Sequence, residues 1–170
     1  MQGRKTLVPD FYFNKFSDVS AEFLLALGVK GIVLDIDNTL EPYEHPKAGK
    51  HVVSWIESLW AAGIKTAIVS NNNECRVNIF NEEFGMPAYP RGGKPFKKNV
   101  INAIREMGIS QNEAILMGDQ IFTDVWAAHN AGISAILVPP INDKKDLLTK
   151  FKRILEIPVL KIYKKRAEKS

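Results

Sequence analysis

Four times in succession this chain repeats one grammar: a stretch with apolar residues at helical spacing, a glycine, then a short apolar run that ends in polar residues. In HVVSWIESLWAAG, Val52, Val53, Ile56, Leu59 and Trp60 share a helical face and Gly63 is placed to end it, after which TAIVSNN is a strand and its exit. ECRVNIFNEEFG is read as a second helix closed by Gly85, leading into a short strand around 88–91. NVINAIREMG, with Val100, Ile101, Ile104 and Met107 on one face, precedes the strand AILMGDQ. DVWAAHNAG precedes SAILVPP, which Pro139 and Pro140 stop. Continuous apolar strands separated by helices belong to a parallel sheet covered on both faces. The spacing therefore predicts an α/β fold, a three-layer Rossmann-like arrangement. At 170 residues, 45% hydrophobic and 25% charged, the chain suits one domain (1–170) and not a disordered, collagenous or membrane-spanning one.

An earlier apolar run, GIVLDIDNTL, ends in Asp35 and Asp37. If the strand continues through both, residues i and i+2 point the same way and two carboxylates crowd one space. In open parallel sheets ligands gather beyond the carboxyl ends of the strands. There this chain presents Asp35 and Asp37, then Ser70 and Asn71, then Lys94, then Asp119 and Asp124. Each alone has a structural explanation as a cap or turn residue. Their recurrence on four successive strands points to a site. Four carboxylates against one ammonium leave a formal charge near −3, too much for a partly dry cleft without a cation. Oxygen-only ligands select a hard divalent ion, and Mg²⁺ is the expectation. With a lysine and a hydroxyl beside it, such a site suits a phosphoryl group. On this reading a metal takes up one of the two close aspartates and a proton the other.

The same residues carry a resemblance. Asp35-Ile-Asp-Asn-Thr39 resembles the DxDxT motif of the haloacid dehalogenase (HAD) superfamily, and VSN with Ser70, GGKP with Lys94 and GDQIFTD with Asp119 and Asp124 are similar to its second, third and fourth motifs in order. The flank LVPDFYF, with VSNNNE and GDQIFTDV, resembles the YqeG group of subclass IIIA phosphatases. The resemblance implies a HAD-like fold and phosphomonoester hydrolysis through an aspartyl-phosphate. It implies Asp35 as nucleophile and Asp37 as general acid and base, with Ser70, the Asn71 backbone N–H and Lys94 on the phosphoryl group. It also implies Mg²⁺ on Asp35, Asp119 and the Asp37 carbonyl, with Asp124 acting through water or on Lys94. Related phosphatases that act on phosphatidylglycerophosphate make that phospholipid a candidate substrate. A small sugar or nucleotide phosphate is the alternative, and a non-catalytic phosphoryl-binding scaffold a further one. A receiver domain of two-component signalling combines similar groups in another order, which Lys94 before Asp119 does not match.

The intervals from Leu40 to Ser70 and from Ser70 to Lys94 are too short for a cap domain, so EPYEHPKA (41–48) is expected to be a flap, with His45 in solvent. The net charge of +4 is concentrated in a basic helix or tail from about 143 to 170, where ten basic residues face four acidic ones, while 1–142 carry −2. That surplus suits a solvated tail or an anionic membrane surface; a specific nucleic-acid partner is not expected. In the lead-in of about 1–29, Tyr12, Phe13, Phe16, Phe23, Leu24 and Leu27 form an aromatic stripe that is core, a homo-oligomer contact or a peripheral membrane contact. No apolar signal segment follows the basic start, and the lone Cys75 fits a reducing compartment, so a cytoplasmic location is expected.

Overall fold

A computed structural model describes residues 6–142 and 157–163. Its strands are β1 (Phe11–Tyr12), β2 (Gly31–Leu34), β3 (Lys65–Val69), β4 (Ala88–Tyr89), β5 (Ala114–Gly118) and β6 (Ser134–Leu137). Its helices are α1 (Ala21–Ala26), α2 (Lys50–Ala61), α3 (Glu74–Asn81), α4 (Lys98–Glu106) and α5 (Trp126–Asn130). The strands form one parallel sheet in the order β1-β6-β5-β2-β3-β4. From β2 the chain steps outward to β3 and β4, then crosses back to β5 on the other side. The direction of winding reverses at β2, and the crevice that such a reversal opens lies beyond the ends of β2 and β5.

Alternation along each strand divides the core in two. Ile32, Leu34, Ile68, Ile115 and Met117 meet Val52, Ile56 and Leu59 of α2 and Val77 and Phe80 of α3. Val33, Ala67, Val69 and Leu116 meet Val100, Ala103 and Ile104 of α4 and Ala127 and Ala128 of α5. Each large aliphatic side chain buried this way contributes about 1.5–3 kcal/mol, so the sheet is held from both faces, as the continuous apolar runs predict.

Two differences from the sequence reading have local causes. β1 is an unpredicted strand of two residues, too short to show a period; it adds to the free edge of β6, where the Asp10 backbone N–H donates to Ala135 O (3.0 Å) and the Ala135 N–H to Asp10 Oδ2 (2.9 Å). Trp60 is 39% exposed, and Trp55 takes the core position instead, its Nε1–H donating to Val19 O. The N-terminal stripe is mostly core: Phe16 and Leu24 are buried, and Phe11 and Phe13 pack edge-on against Phe23 at 5.2 and 5.0 Å. Only Tyr12 and Leu27 of that stripe are exposed. Most of the predicted basic tail lies outside the described residues. Within 157–163, which is helical, Val159 and Leu160 pack on the α4/α5 side of the core and the Tyr163 hydroxyl accepts from the Tyr12 backbone N–H (3.1 Å). Among the described residues no helix is long and apolar enough to cross a membrane.

Candidate active site

β2 ends at Leu34, so Asp35 is the first residue beyond the sheet, and the chain then turns through Thr39, whose N–H donates to Ile36 O (3.1 Å). The strand does not continue through Asp37, and the two carboxylates do not crowd each other. Each has its own cation. Asp35 Oδ1 accepts from Lys94 Nζ at 2.6 Å, whereas Asp37 Oδ1 accepts from Arg76 Nε at 3.0 Å and its Oδ2 from Asn72 Nδ2 at 2.8 Å. Behind Asp37 the backbone is pinned in the left-handed region at Asn38 (φ 63°), whose N–H donates to Glu41 O and whose carbonyl accepts from Ile141 N. Asparagine is one of the few residues with a side chain that enters this region readily.

The Asp35 side is dry. Lys94 Nζ also donates to Asp124 Oδ1 at 2.6 Å, and Asp35, Lys94, Asp119 and Asp124 are all buried. The Thr39 hydroxyl lies 3.2 Å from Asp35 Oδ2 and 3.4 Å from Asp119 Oδ1, so its single hydrogen is shared between two carboxylates. Carboxylate oxygens of Asp35, Asp119 and Asp124 lie within 4.8 Å of one another. Burial pushes the Asp124 carboxyl up to about 6, the Lys94 charge opposing and the Asp35 charge adding. Burial alone would lower Lys94, but Asp124 and Asp35 outweigh it and hold the ammonium charged.

Asp124 reaches this cluster through an unusual turn. Residues Ile121–Val125 form a π-helical turn ahead of α5, in which the Val125 N–H spans back to Gln120 O. Such turns recur at functional sites because they re-aim a side chain. Here the turn folds Asp124 over Gly118, and its Oδ2 accepts from the Gln120 N–H at 3.0 Å. A Cβ on Gly118 would fall 2.2 Å from Asp124 Cγ, so only glycine permits this approach.

The loop after β3 spends three consecutive asparagines on three targets. Asn71 brackets the lysine loop, donating to Lys94 O (2.9 Å) and accepting from Lys94 N (2.8 Å). Asn72 reaches Asp37, and Asn73 caps α3 by accepting from Arg76 N at 2.9 Å. Ser70 is buried and its Oγ accepts from the Asn72 N–H, which leaves its hydroxyl hydrogen free to be donated. The structure thus assembles Asp35, Lys94, Asp119 and Asp124 into one buried cluster, with Ser70, Asn71 and Asp37 on the adjoining loops. Thr39, Asn72 and Arg76 are further participants that the spacing did not single out. Arg76 changes the charge inventory: four carboxylates against two cations leave a formal −2, which one divalent ion would balance. The all-oxygen donor set fits such an ion. Both Asp124 oxygens accept from nitrogen donors, Lys94 Nζ and the Gln120 N–H, whereas Asp35 Oδ2 and Asp119 Oδ1 share the one hydrogen of Thr39. His45 is exposed on the flap, 3.8 Å from the buried Glu41, and the described residues hold no cap over the site.

A parallel sheet whose winding reverses beside an aspartate-rich loop, with a lysine and two further aspartates delivered by the next strands, describes a class of hydrolase. Residues 29–138 match the family model of the haloacid dehalogenase-like hydrolases, and the chain belongs to that family. It is 35% identical over 163 residues to "Probable phosphatase YqeG" of Bacillus subtilis, covering 96% of this chain and 95% of that protein, and it is an enzyme of the HAD phosphatase type. Among solved structures, an uncharacterized protein from Listeria monocytogenes shares the fold (TM-score 0.54, 22% identity, 69% of this chain and 85% of that one). So does the cobalt-bound deoxy-D-mannose-octulosonate 8-phosphate phosphatase of Haemophilus influenzae (TM-score 0.53, 13% identity, 76% and 89%).

Proposed function

We propose that the chain, working as one unit, is a Mg²⁺-dependent phosphomonoester hydrolase that forms an aspartyl-phosphate on Asp35. The observation that carries this reading is the buried Lys94 ammonium, held 2.6 Å from both Asp35 and Asp124 with Asp119 alongside. Lys94 and the shared Thr39 hydrogen bond fix the Asp35 carboxylate, and one of its oxygens attacks phosphorus while the ester P–O bond breaks. Asp37 gives a proton to the departing alkoxide. A water then attacks the aspartyl-phosphate, returns a proton to Asp37 and releases inorganic phosphate. Ser70 Oγ and the Asn71 N–H donate to phosphoryl oxygens. Asp35, Asp119 and the Asp37 carbonyl would hold the ion, which supplies charge neutralisation at those oxygens; Asp124 acts through Lys94.

The substrate we favour is a phosphomonoester on a large amphiphilic molecule, phosphatidylglycerophosphate included, met at the cytoplasmic face of a membrane. Supporting it are the lack of a cap among the described residues and a rim that exposes Phe96 (74%), two residues from Lys94, and Tyr43 (44%) on the flap. Soluble sugar phosphates should then be poorer substrates. The test is phosphate release from a panel of lipid and soluble phosphomonoesters, with Mg²⁺ or with chelator. Chelation should abolish turnover, and Asp35→Asn should lower it at least ~10³-fold. Equal turnover by Asp35→Asn would refute the nucleophile.

A further inference from the structure

We infer that Arg76 is a positioning residue for Asp37: it sets the orientation of the carboxyl group that transfers the proton, and so acts on the leaving-group step. This rests on the acid–base role proposed for Asp37.

Arg76 lies in the first turn of α3 and would ordinarily be a solvated helix residue, yet it is only 8% exposed. Its guanidinium is located from every side. The Asn73 cap fixes its backbone N–H at 2.9 Å, the ring of Phe80 lies 5.7 Å from its Cζ, and Nη1–H donates to Pro46 O of the flap at 2.7 Å. So placed, Nε–H meets Asp37 Oδ1 at 3.0 Å while Asn72 Nδ2 meets Oδ2 at 2.8 Å. Two donors on two oxygens leave the carboxyl plane no freedom to rotate, and both donors come from the loop and first turn that follow Ser70. Among the described residues Arg76 Nη2 is buried without a protein partner, while Nε and Nη1 are both engaged, on Asp37 and on the flap.

In the step concerned, the ester oxygen keeps the electron pair of the breaking P–O bond and takes a proton from Asp37, while phosphorus bonds to Asp35. A weakly basic leaving group such as p-nitrophenolate departs with little need of that proton; the more basic phenolate depends on it. The experiment compares kcat/KM for phenyl phosphate and p-nitrophenyl phosphate in wild type, Arg76→Met, Arg76→Lys and Asp37→Asn, each checked for fold by circular dichroism. The phenyl-to-nitrophenyl ratio should fall by roughly tenfold in Arg76→Met, and by more in Asp37→Asn. If Arg76→Met does not fold, Arg76→Lys decides by the same ratio, because lysine keeps the charge but concentrates it on one nitrogen and lacks the fixed fork of the guanidinium. A folded Arg76 variant that loses both activities in equal proportion, while Asp37→Asn shifts the ratio, overturns the inference alone. An unshifted ratio in Asp37→Asn, or no turnover of either ester by wild type, removes the acid role and this inference with it.

Discussion

Two lysines with carboxylate partners stand at opposite ends of the sheet at almost the same contact distances. At the carboxyl ends Lys94 lies 2.6 Å from Asp35 and from Asp124, with side-chain exposures of 2%, 9% and 1%. At the amino ends, Lys30 before β2 lies 2.5 Å from Glu113 before β5, with exposures of 65% and 23%. Distance does not separate them; solvent does. Around Lys30 water screens the attraction and would take over if the partner were lost. Around Lys94 each charge has given up its hydration, and the loss of one leaves the others uncompensated. One pair is interchangeable surface; the other is a site in which every member depends on the rest.

The sharpest way to break this contrast is Lys94→Met. With two buried carboxylates left facing each other, unfolding free energy should fall by about 3–5 kcal/mol in denaturant titration, and added Mg²⁺ should restore part of it. A loss no larger than that of Lys30→Met would collapse the distinction between the two ends. Gly118→Ala comes next. Asp124 cannot move aside without leaving Lys94 and the Gln120 N–H, so the added methyl should cost about 1–3 kcal/mol and reduce phosphate release in parallel. Neutral behaviour in both assays would mean that the π-helical turn does not hold Asp124 against Gly118.

The smallest effect belongs to the exposed pair and appears as a pH dependence. The Lys30 partner, with help from Ser110, holds the Glu113 carboxyl down to about 2 from an ordinary 4.5. A carboxyl lowered in the folded state stabilises that state above its unfolded value, and the contribution is lost as pH falls through 4.5 toward 2. Glu113→Gln should therefore flatten the acid limb of the thermal melting profile slightly and leave melting near pH 7 almost unmoved. A large change at neutral pH would show that this end is less solvated than its exposure indicates.

What was legible in the sequence follows from what local chemistry can encode. Apolar runs with glycine stops specify strands and helices because hydrophobic spacing and positive-φ turns are properties of short segments. The polar exits mark the rim because a parallel sheet brings all its carboxyl ends to one side. Asp35, Ser70, Lys94, Asp119 and Asp124 could be named on that ground. Arg76 could not, since nothing within ECRV states which way the first turn of α3 faces; the run of three asparagines just after Ser70 was the available hint. β1 was invisible for a similar reason. Two residues have no period, and their pairing exists only because β6 leaves an edge open.

The layers, the order of the motifs and the acidic, oxygen-only character of the site were already written in the residues, because each is a matter of residue type and spacing. Which cation each aspartate meets, Lys94 for Asp35 and Arg76 for Asp37, came from the folded arrangement alone. Pairing between groups that lie 59 and 39 residues apart along the chain depends on how the loops close in space. The energy of such a pair depends on the water that closure excludes.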